Sequence, residues 1–227
     1  MPRIPEGRII NATVTKECDG KYYVSICSEE AEKEAFAHTG KEAGIDLGIR
    51  NLAVTSDGEI FDNPHSYERN LKKLRRLQRR LSRKQKGSHN REKQRTKVAA
   101  LYKKIRNQRT DAIHKMTTSL VKNYDTICME DLNVKSMVKN KRLARYISDA
   151  SFGEIRRQFE YTCGWHKRKL IRVDRWYPSS QTCSECGYIN KKTKNPAIRY
   201  WKCPECGKEH DRDINAAINI LHKGISA

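Results

Sequence analysis

The chain has 227 residues, and its 47 Lys and Arg against 27 Asp and Glu give a formal charge of +20 at pH 7. That length fits one large domain or two small ones, and an apolar share of 37% supports a modest core. No apolar run approaches the roughly 20 residues that span a bilayer, and Met1-Pro2-Arg3-Ile4-Pro5 lacks the apolar stretch of a signal peptide, so a cytoplasmic protein with reduced cysteines is expected.

Residues 8–28 read as a β-hairpin. Ile10, Ala12 and Val14 alternate with polar residues, Asp19-Gly20 makes the turn, and Tyr22, Val24 and Ile26 alternate on the return. Residues 29–42 form a polar link. Strand signals resume over 43–56, turn at Asp57-Gly58 and return through 59–61. The next segment holds most of the charge: from Arg69 to Arg109 there are 18 bases and one acid, Glu92. Leu71, Leu74, Leu77 and Leu81 recur there at helical spacing. Val98, Leu101, Ile105, Ile113, Met116 and Leu120 do so again after a break at residues 86–90, where Asn90 is a candidate N-cap. Two antiparallel helices are expected, each with one apolar stripe and an otherwise cationic surface. A charged stretch can be merely a solvated face. Like charges at i,i+4 repel, however, and a run of nearly pure sign fits contact with a nucleic-acid backbone better.

Thr126–Glu130 reads as a short buried strand, residues 152–169 as a helix, residues 170–173 as another strand and residues 213–221 as a last helix. Strands alternating with helices predict an α/β core. Between these elements lie Cys183-Ser184-Glu185-Cys186-Gly187 and Cys203-Pro204-Glu205-Cys206-Gly207, separated by sixteen residues from Cys186 to Cys203. Two such knuckles suit a tetrahedral four-thiolate zinc site. Four protein ligands leave no open position, so its role is structural. Cys18, Cys27, Cys128 and Cys163 are isolated and read as ordinary thiols. Tyr188, Tyr200 and Trp201 lie among basic residues; they suit either base stacking or the packing of a small ribbon.

Three separated acids complete the pattern. Asp46 lies inside the apolar strand Gly44-Ile45-Asp46-Leu47, Glu130 ends the strand 126–130, and Asp213 opens the last helix. Singly, each has an ordinary explanation: a turn or salt-bridge acid for Asp46, a strand-end acid for Glu130 and a helix N-cap for Asp213. Their order matters more, because in a ribonuclease-H-like sheet these three points converge on one edge. Three carboxylates there can hold two divalent cations for phosphodiester hydrolysis.

The segments GIDLGIRNLAVTSDG, ICMEDLNVKSM and HDRDINAAINIL resemble the three RuvC motifs of the TnpB (OrfB) family, the RNA-guided endonucleases of insertion sequences. The segment WYPSSQTCSECG, the second knuckle and the basic stretch ending in LYKKIRNQRTDAIHK resemble the same family, so the likeness runs from about Gly7 to Leu221. The resemblance implies a RuvC fold, a ribonuclease-H-like mixed sheet with an inserted basic helical hairpin and an inserted zinc ribbon. It implies that Asp46, Glu130 and Asp213 are catalytic ligands of Mg²⁺, with Asp131 and Asp211 as neighbours easily mistaken for them. It implies that Cys183, Cys186, Cys203 and Cys206 bind zinc, that the partners are DNA and a guide RNA, and that the protein is nucleoid-associated when bound to DNA.

The corresponding divisions are a hairpin and link over 1–42, matching the end of an oligonucleotide-binding barrel; a nuclease core over 43–178 with the basic insertion at 66–122; a ribbon over 179–210; and a last helix over 211–227. Family members carry a longer region ahead of this point, which holds the guide. A DNA endonuclease is therefore the leading expectation, and a non-catalytic nucleic-acid-binding member of the family is the alternative.

Overall fold

The computed structural model describes residues 7–29 and 35–226. The N-terminal pentapeptide and part of the expected link, residues 30–34, lie outside the described residues. The chain forms two compact units, residues 1–34 with 65–111 and residues 35–64 with 112–227. The hairpin thus groups with the basic helices rather than standing apart, and residues 35–42 of the expected link go with the sheet.

In the first unit, β1 (Ile9–Lys16) and β2 (Tyr22–Ser28) pair antiparallel, and Gly20 adopts a φ of 82° in the turn. Helix α1 (Ser66–Ser82) and the first part of α2 (His89–Asn123) run antiparallel. Gln94 donates to the Leu77 carbonyl at 3.1 Å, and Arg91 to that of Leu81 at 2.8 Å. Leu74, Val98, Leu101 and Ile105 form their shared core. Asn90 is not the cap: it lies within the first turn, and the Ser88 hydroxyl accepts the Arg91 N–H at 3.2 Å. Ser is as good a cap as Asn, and its position one residue ahead of the helix is what the bond requires. The hairpin is tied to α2 by Lys103, which reaches Glu17 at 2.8 Å and Asp19 at 3.2 Å and lies 3.4 Å from the Tyr23 ring centre.

The apolar stripe of α2 does not serve one core. Ile113, Met116 and Leu120 belong to the core of the second unit. Eight residues separate Ile105 from Ile113. At 3.6 residues per turn this rotates the stripe by about 80°, enough to face a different partner.

The second unit is built on a five-stranded mixed sheet in the order β5-β4-β3-β6-β7. The strand expected over 43–56 is two antiparallel strands, β3 (Glu42–Leu47) and β4 (Asn51–Thr55), joined by the turn at Gly48-Ile49-Arg50, and β4 in turn pairs antiparallel with the edge strand β5 (Ile60–Asp62). β6 (Thr126–Glu130) lies parallel to β3, and β7 (Lys169–Val173) parallel to β6. Helices α3 (Val134–Met137), α4 (Ala144–Ala150) and α5 (Phe152–Trp165) connect β6 to β7; the first two gave no sequence signal.

The register decides which residues face which layer. Ala43, Ile45, Ile127 and Met129 join the main core with Ile113, Met116, Ile155 and Phe159. The alternate row, Gly44 beside Cys128 beside Ile171, faces α6 (Arg212–Ile225). Both sheet faces are thereby covered by helices, as a sheet with parallel strands requires.

Candidate active site and cysteine centre

Strand alternation places Asp46 in the row next to Gly44, on the side of the sheet that faces α6. The β3–β6 register pairs Ile45 with Met129, so one further step sets Asp46 beside Glu130, which itself pairs with Val173. Asp213 comes from the first turn of α6. Three acids remote in sequence therefore gather at one edge of the sheet. The charge on Asp46 responds to both others. Removal from water pushes its carboxyl well above the usual range, the negative charges of Glu130 and Asp213 push it further, and Arg212 and Arg199 offset part of this. Burial also raises Glu130, against a hydrogen bond from the Ser179 hydroxyl and the charge of Arg212.

The neighbouring acids have other occupations. Asp211 is the cap of α6: its carboxylate accepts the N–H groups of Asp213 at 2.9 Å and Ile214 at 3.0 Å. Asp213 is thus free of the capping role. Asp131 is held by Arg156 at 3.5 Å and by Arg175. Sequence reasoning missed two groups that bear on the site. Arg199, between the knuckles, grips both oxygens of Asp213 at 3.0 and 2.9 Å, while Arg212 reaches one at 3.3 Å. Ser179 caps Glu130. Neither belongs to a periodic pattern; Ser179 lies in the segment WYPSSQTCSECG that carries the family likeness, but nothing local pointed to its contact with Glu130. With these partners in place, the three carboxylates are not drawn within 4.8 Å of one another as the cysteine sulfurs are.

The sulfurs of Cys183, Cys186, Cys203 and Cys206 all lie within 4.8 Å of one another. Cys183 and Cys206 are 3.7 Å apart, and Cys186 and Cys203 3.6 Å. These spacings suit a tetrahedron with metal–sulfur bonds of about 2.3 Å, whose edge is about 3.8 Å. They are far too long for disulfides, which measure roughly 2 Å. The two knuckles repeat one hydrogen-bond scheme. The N–H of each glycine donates to the first cysteine's carbonyl, at 2.9 and 3.0 Å, and Gly187 and Gly207 carry φ of 77° and 74°. His210 places Nε2 3.1 Å from the Cys183 sulfur. Trp201 is only 8% exposed and packs with Cys183 and Cys203, whereas Tyr200 is 78% exposed. The ribbon thus uses the tryptophan as its core. The ribbon is bolted to α6 by buried amides: Asn215 accepts from the Ser184 N–H at 3.0 Å, and Asn219 donates to the carbonyls of Ser179 and Thr182 at 2.9 and 2.6 Å.

An OrfB family model described as "Probable transposase" matches residues 25–141, and one described as "Cas12f1-like, TNB domain" matches residues 152–220. A Streptomyces pristinaespiralis protein named "Putative RNA-guided DNA endonuclease" is 43% identical over 99% of this chain and 55% of its own length. The Escherichia coli K12 protein "Putative RNA-guided DNA endonuclease InsQ" is 36% identical over 96% of this chain and 57% of its own. The chain therefore spans a little over half the length of these curated relatives. The fold is also that of a Cas12f1 chain solved in an sgRNA–target DNA complex, with a TM-score of 0.57 and 21% identity over 88% of this chain and 53% of that one. Among the described residues no helix is long and apolar enough to cross a membrane. On the family match across more than half of its residues, the chain belongs to the OrfB (TnpB) family.

Proposed function

We propose that the second unit is a ribonuclease-H-like nuclease of the RuvC type and that Asp46, Glu130 and Asp213 hold divalent cations for cutting DNA. The observation that carries this reading is a convergence: Asp46 on β3, Glu130 at the end of β6 and Asp213 in the first turn of α6 come together at one end of the sheet. Such like-charge crowding is costly without a cation, and an all-oxygen donor set suits Mg²⁺. When bound there, divalent cations supply activation of the attacking water and stabilisation of the leaving 3′ oxygen. The chain's own groups do the rest. β3 and β6 hold two carboxylates side by side, α6 supplies the third, and Asp211 fixes the start of α6 and with it the position of Asp213. Arg199 and Arg212 offset negative charge at Asp213 and can meet the phosphate of a bound strand.

The four cysteines hold a structural zinc ion that keeps the segment bearing Ser179 and Arg199 in place. The cationic face of α1, lined by Arg69, Lys72, Arg76, Arg79 and Arg83, binds nucleic-acid backbone. By analogy with the names of the relatives, the full assembly takes an RNA guide and a DNA target; the expected location is the cytoplasm, with nucleoid association when bound to DNA.

A second reading, binding without cutting, is favoured by the bidentate grip of Arg199 on Asp213, which occupies a carboxylate the reaction needs. One experiment separates the two. The protein is incubated with labelled single-stranded and duplex DNA, in Mg²⁺ or EDTA, beside Asp46→Asn, and copurifying RNA is sequenced. Cutting that needs Mg²⁺ and is lost in Asp46→Asn supports the nuclease. Binding without cutting in Mg²⁺ overturns it in favour of the second reading.

A further inference from the structure

Beside Glu130 lies a cavity that the scheme above does not use, and neither Asp46 nor Asp213 lines it. Its volume is about 440 Å³, within the roughly 300–1,000 Å³ of small-molecule sites. Leu47, Leu132 and Phe152 supply an apolar floor, Arg156, Arg172 and Arg175 a cationic rim, and Glu130 one wall. It opens at the carboxyl end of β6, where parallel strands of α/β sheets offer their ligand crevices.

The rim is charged but lightly engaged. Arg156 and Arg175 share Asp131, and Glu160 lies 3.7 Å from both Arg156 and Arg172. Three guanidinium groups thus face two carboxylates. The side chains of Arg156, Arg172 and Arg175 are 44%, 52% and 40% exposed, and ion pairs exposed to this degree are weak. An incoming phosphate can exchange for them with bidentate geometry. The space is open beside Gly153 as well: a Cβ built there meets no atom within 4 Å.

We infer that this cavity binds one nucleotide of the DNA strand, its base on the apolar floor and its phosphate on Arg156, Arg172 and Arg175. An apolar floor alone would take any hydrophobic group, and a cationic rim alone any anion. Together, with a wall shared with the carboxylate cluster, they match the nucleotide next to a phosphodiester held at that cluster. The identification of the ligand as part of a substrate strand rests on the nuclease reading; the binding chemistry does not.

The test uses the full chain in EDTA, so that cleavage plays no part. 5′-Phosphorylated dithymidylate is titrated while the Gly153 amide and the Nε–Hε groups of Arg156, Arg172 and Arg175 are followed by NMR. Saturable shifts of these four signals are expected. In Gly153→Leu, whose Cβ has no neighbour within 4 Å and whose longer side chain extends into the open space, affinity should fall at least tenfold while the melting temperature stays at or above that of the parent. Arg172→Gln should weaken binding severalfold and flatten its salt dependence. Shifts confined to residues 69–109, or unchanged affinity in Gly153→Leu, overturn the proposal. Equal affinity for inorganic phosphate overturns the assignment of the floor to a base. Loss of nuclease activity in Asp46→Asn is scored separately, so either conclusion can fail without the other.

Discussion

Gly44 on β3 lies against the backbone of Ala217 on α6: a Cβ added to Gly44 would stand 2.0 Å from the Ala217 carbonyl oxygen and 2.6 Å from the Leu221 nitrogen. Helix α6 packs on the sheet through bare backbone at this point. The same occurs one strand over, where a Cβ on Gly224 would stand 2.5 Å from the Cys128 sulfur. These two contacts set the height of α6 above the strands that carry Asp46 and Glu130. Gly44→Val should therefore destabilise the second unit by about 3 kcal/mol or more, the upper end of overpacking costs, because the obstacle is backbone and cannot rotate away. Urea denaturation measures it; a change below about 1 kcal/mol would mean that α6 can ride higher without loss.

On the nuclease reading, Asp211 and Asp213 separate capping from chemistry. Asp211→Ala removes the acceptor for two N–H groups of α6 and should cost about 1 kcal/mol. Asp213→Asn leaves the cap intact, so any loss of stability should come from the ion pairs with Arg199 and Arg212 and not from the helix start, and it should abolish cleavage. Thermal melts and cleavage assays of both variants decide the roles. Full activity in Asp213→Asn would return that residue to an ordinary helix-start acid.

On the nuclease reading, Arg199 competes with a cation for Asp213. Charge-assisted hydrogen bonds contribute roughly 1.5–3 kcal/mol, so Arg199→Ala should tighten Mn²⁺ binding at the carboxylate cluster by about tenfold. Mn²⁺ titration by electron paramagnetic resonance reads the affinity directly. An unchanged or weaker affinity would show that Arg199 holds Asp213 in the ligating pose instead of masking it.

Chelation should loosen the ribbon before the sheet. A strong zinc chelator is expected to lower the melting temperature by several degrees and to open residues 183–206 to trypsin, since four thiolates and a small tryptophan core hold that segment. Mass spectrometry of early fragments locates the first cut. A first cut in α5 would contradict this order.

Asp125 gives the second unit a defined acid sensitivity. It sits in a latch with Arg168, accepts the N–H of Gly40 at 2.6 Å and that of Thr39 at 3.0 Å, and lies 3.0 Å from His38. Burial alone would raise its carboxyl, but these N–H donors and the His38 charge outweigh it and hold it below its ordinary 3.8. A carboxyl lowered by folding stabilises the native state above its unfolded value, and this stabilisation is lost as the pH falls through the folded value. Stability should therefore decline below about pH 4, and the decline should be shallower in Asp125→Asn, which starts from a lower plateau. Parallel slopes in the two proteins would remove Asp125 as its source.

The local elements were legible because their signals are local. The hairpin around Asp19-Gly20, the leucine spacing of α1, the strand 126–130 and the start of the last helix follow from periodicity and turn chemistry within a few residues. The paired knuckles declared a four-sulfur cluster because each supplies two ligands from one short turn. The sequence could order the three acids along the chain, and the family likeness picked Asp213 over its neighbour Asp211, but the residue types alone did not tell which of the two caps the last helix. The break of 43–56 into two strands was hidden because Gly48-Ile49-Arg50 is short and carries a single glycine as its turn residue.

What only the tertiary structure decided is where long-range partners meet. Arg199 reaches Asp213, Ser179 reaches Glu130, and the stripe of α2 divides between two cores, because these contacts depend on how α6 and the ribbon dock on the sheet. Composition and periodicity report the environment that a residue needs. They do not report which distant residue supplies it, since that pairing is fixed by packing at Gly44 and Gly224, where the absence of a side chain allows the helix to approach.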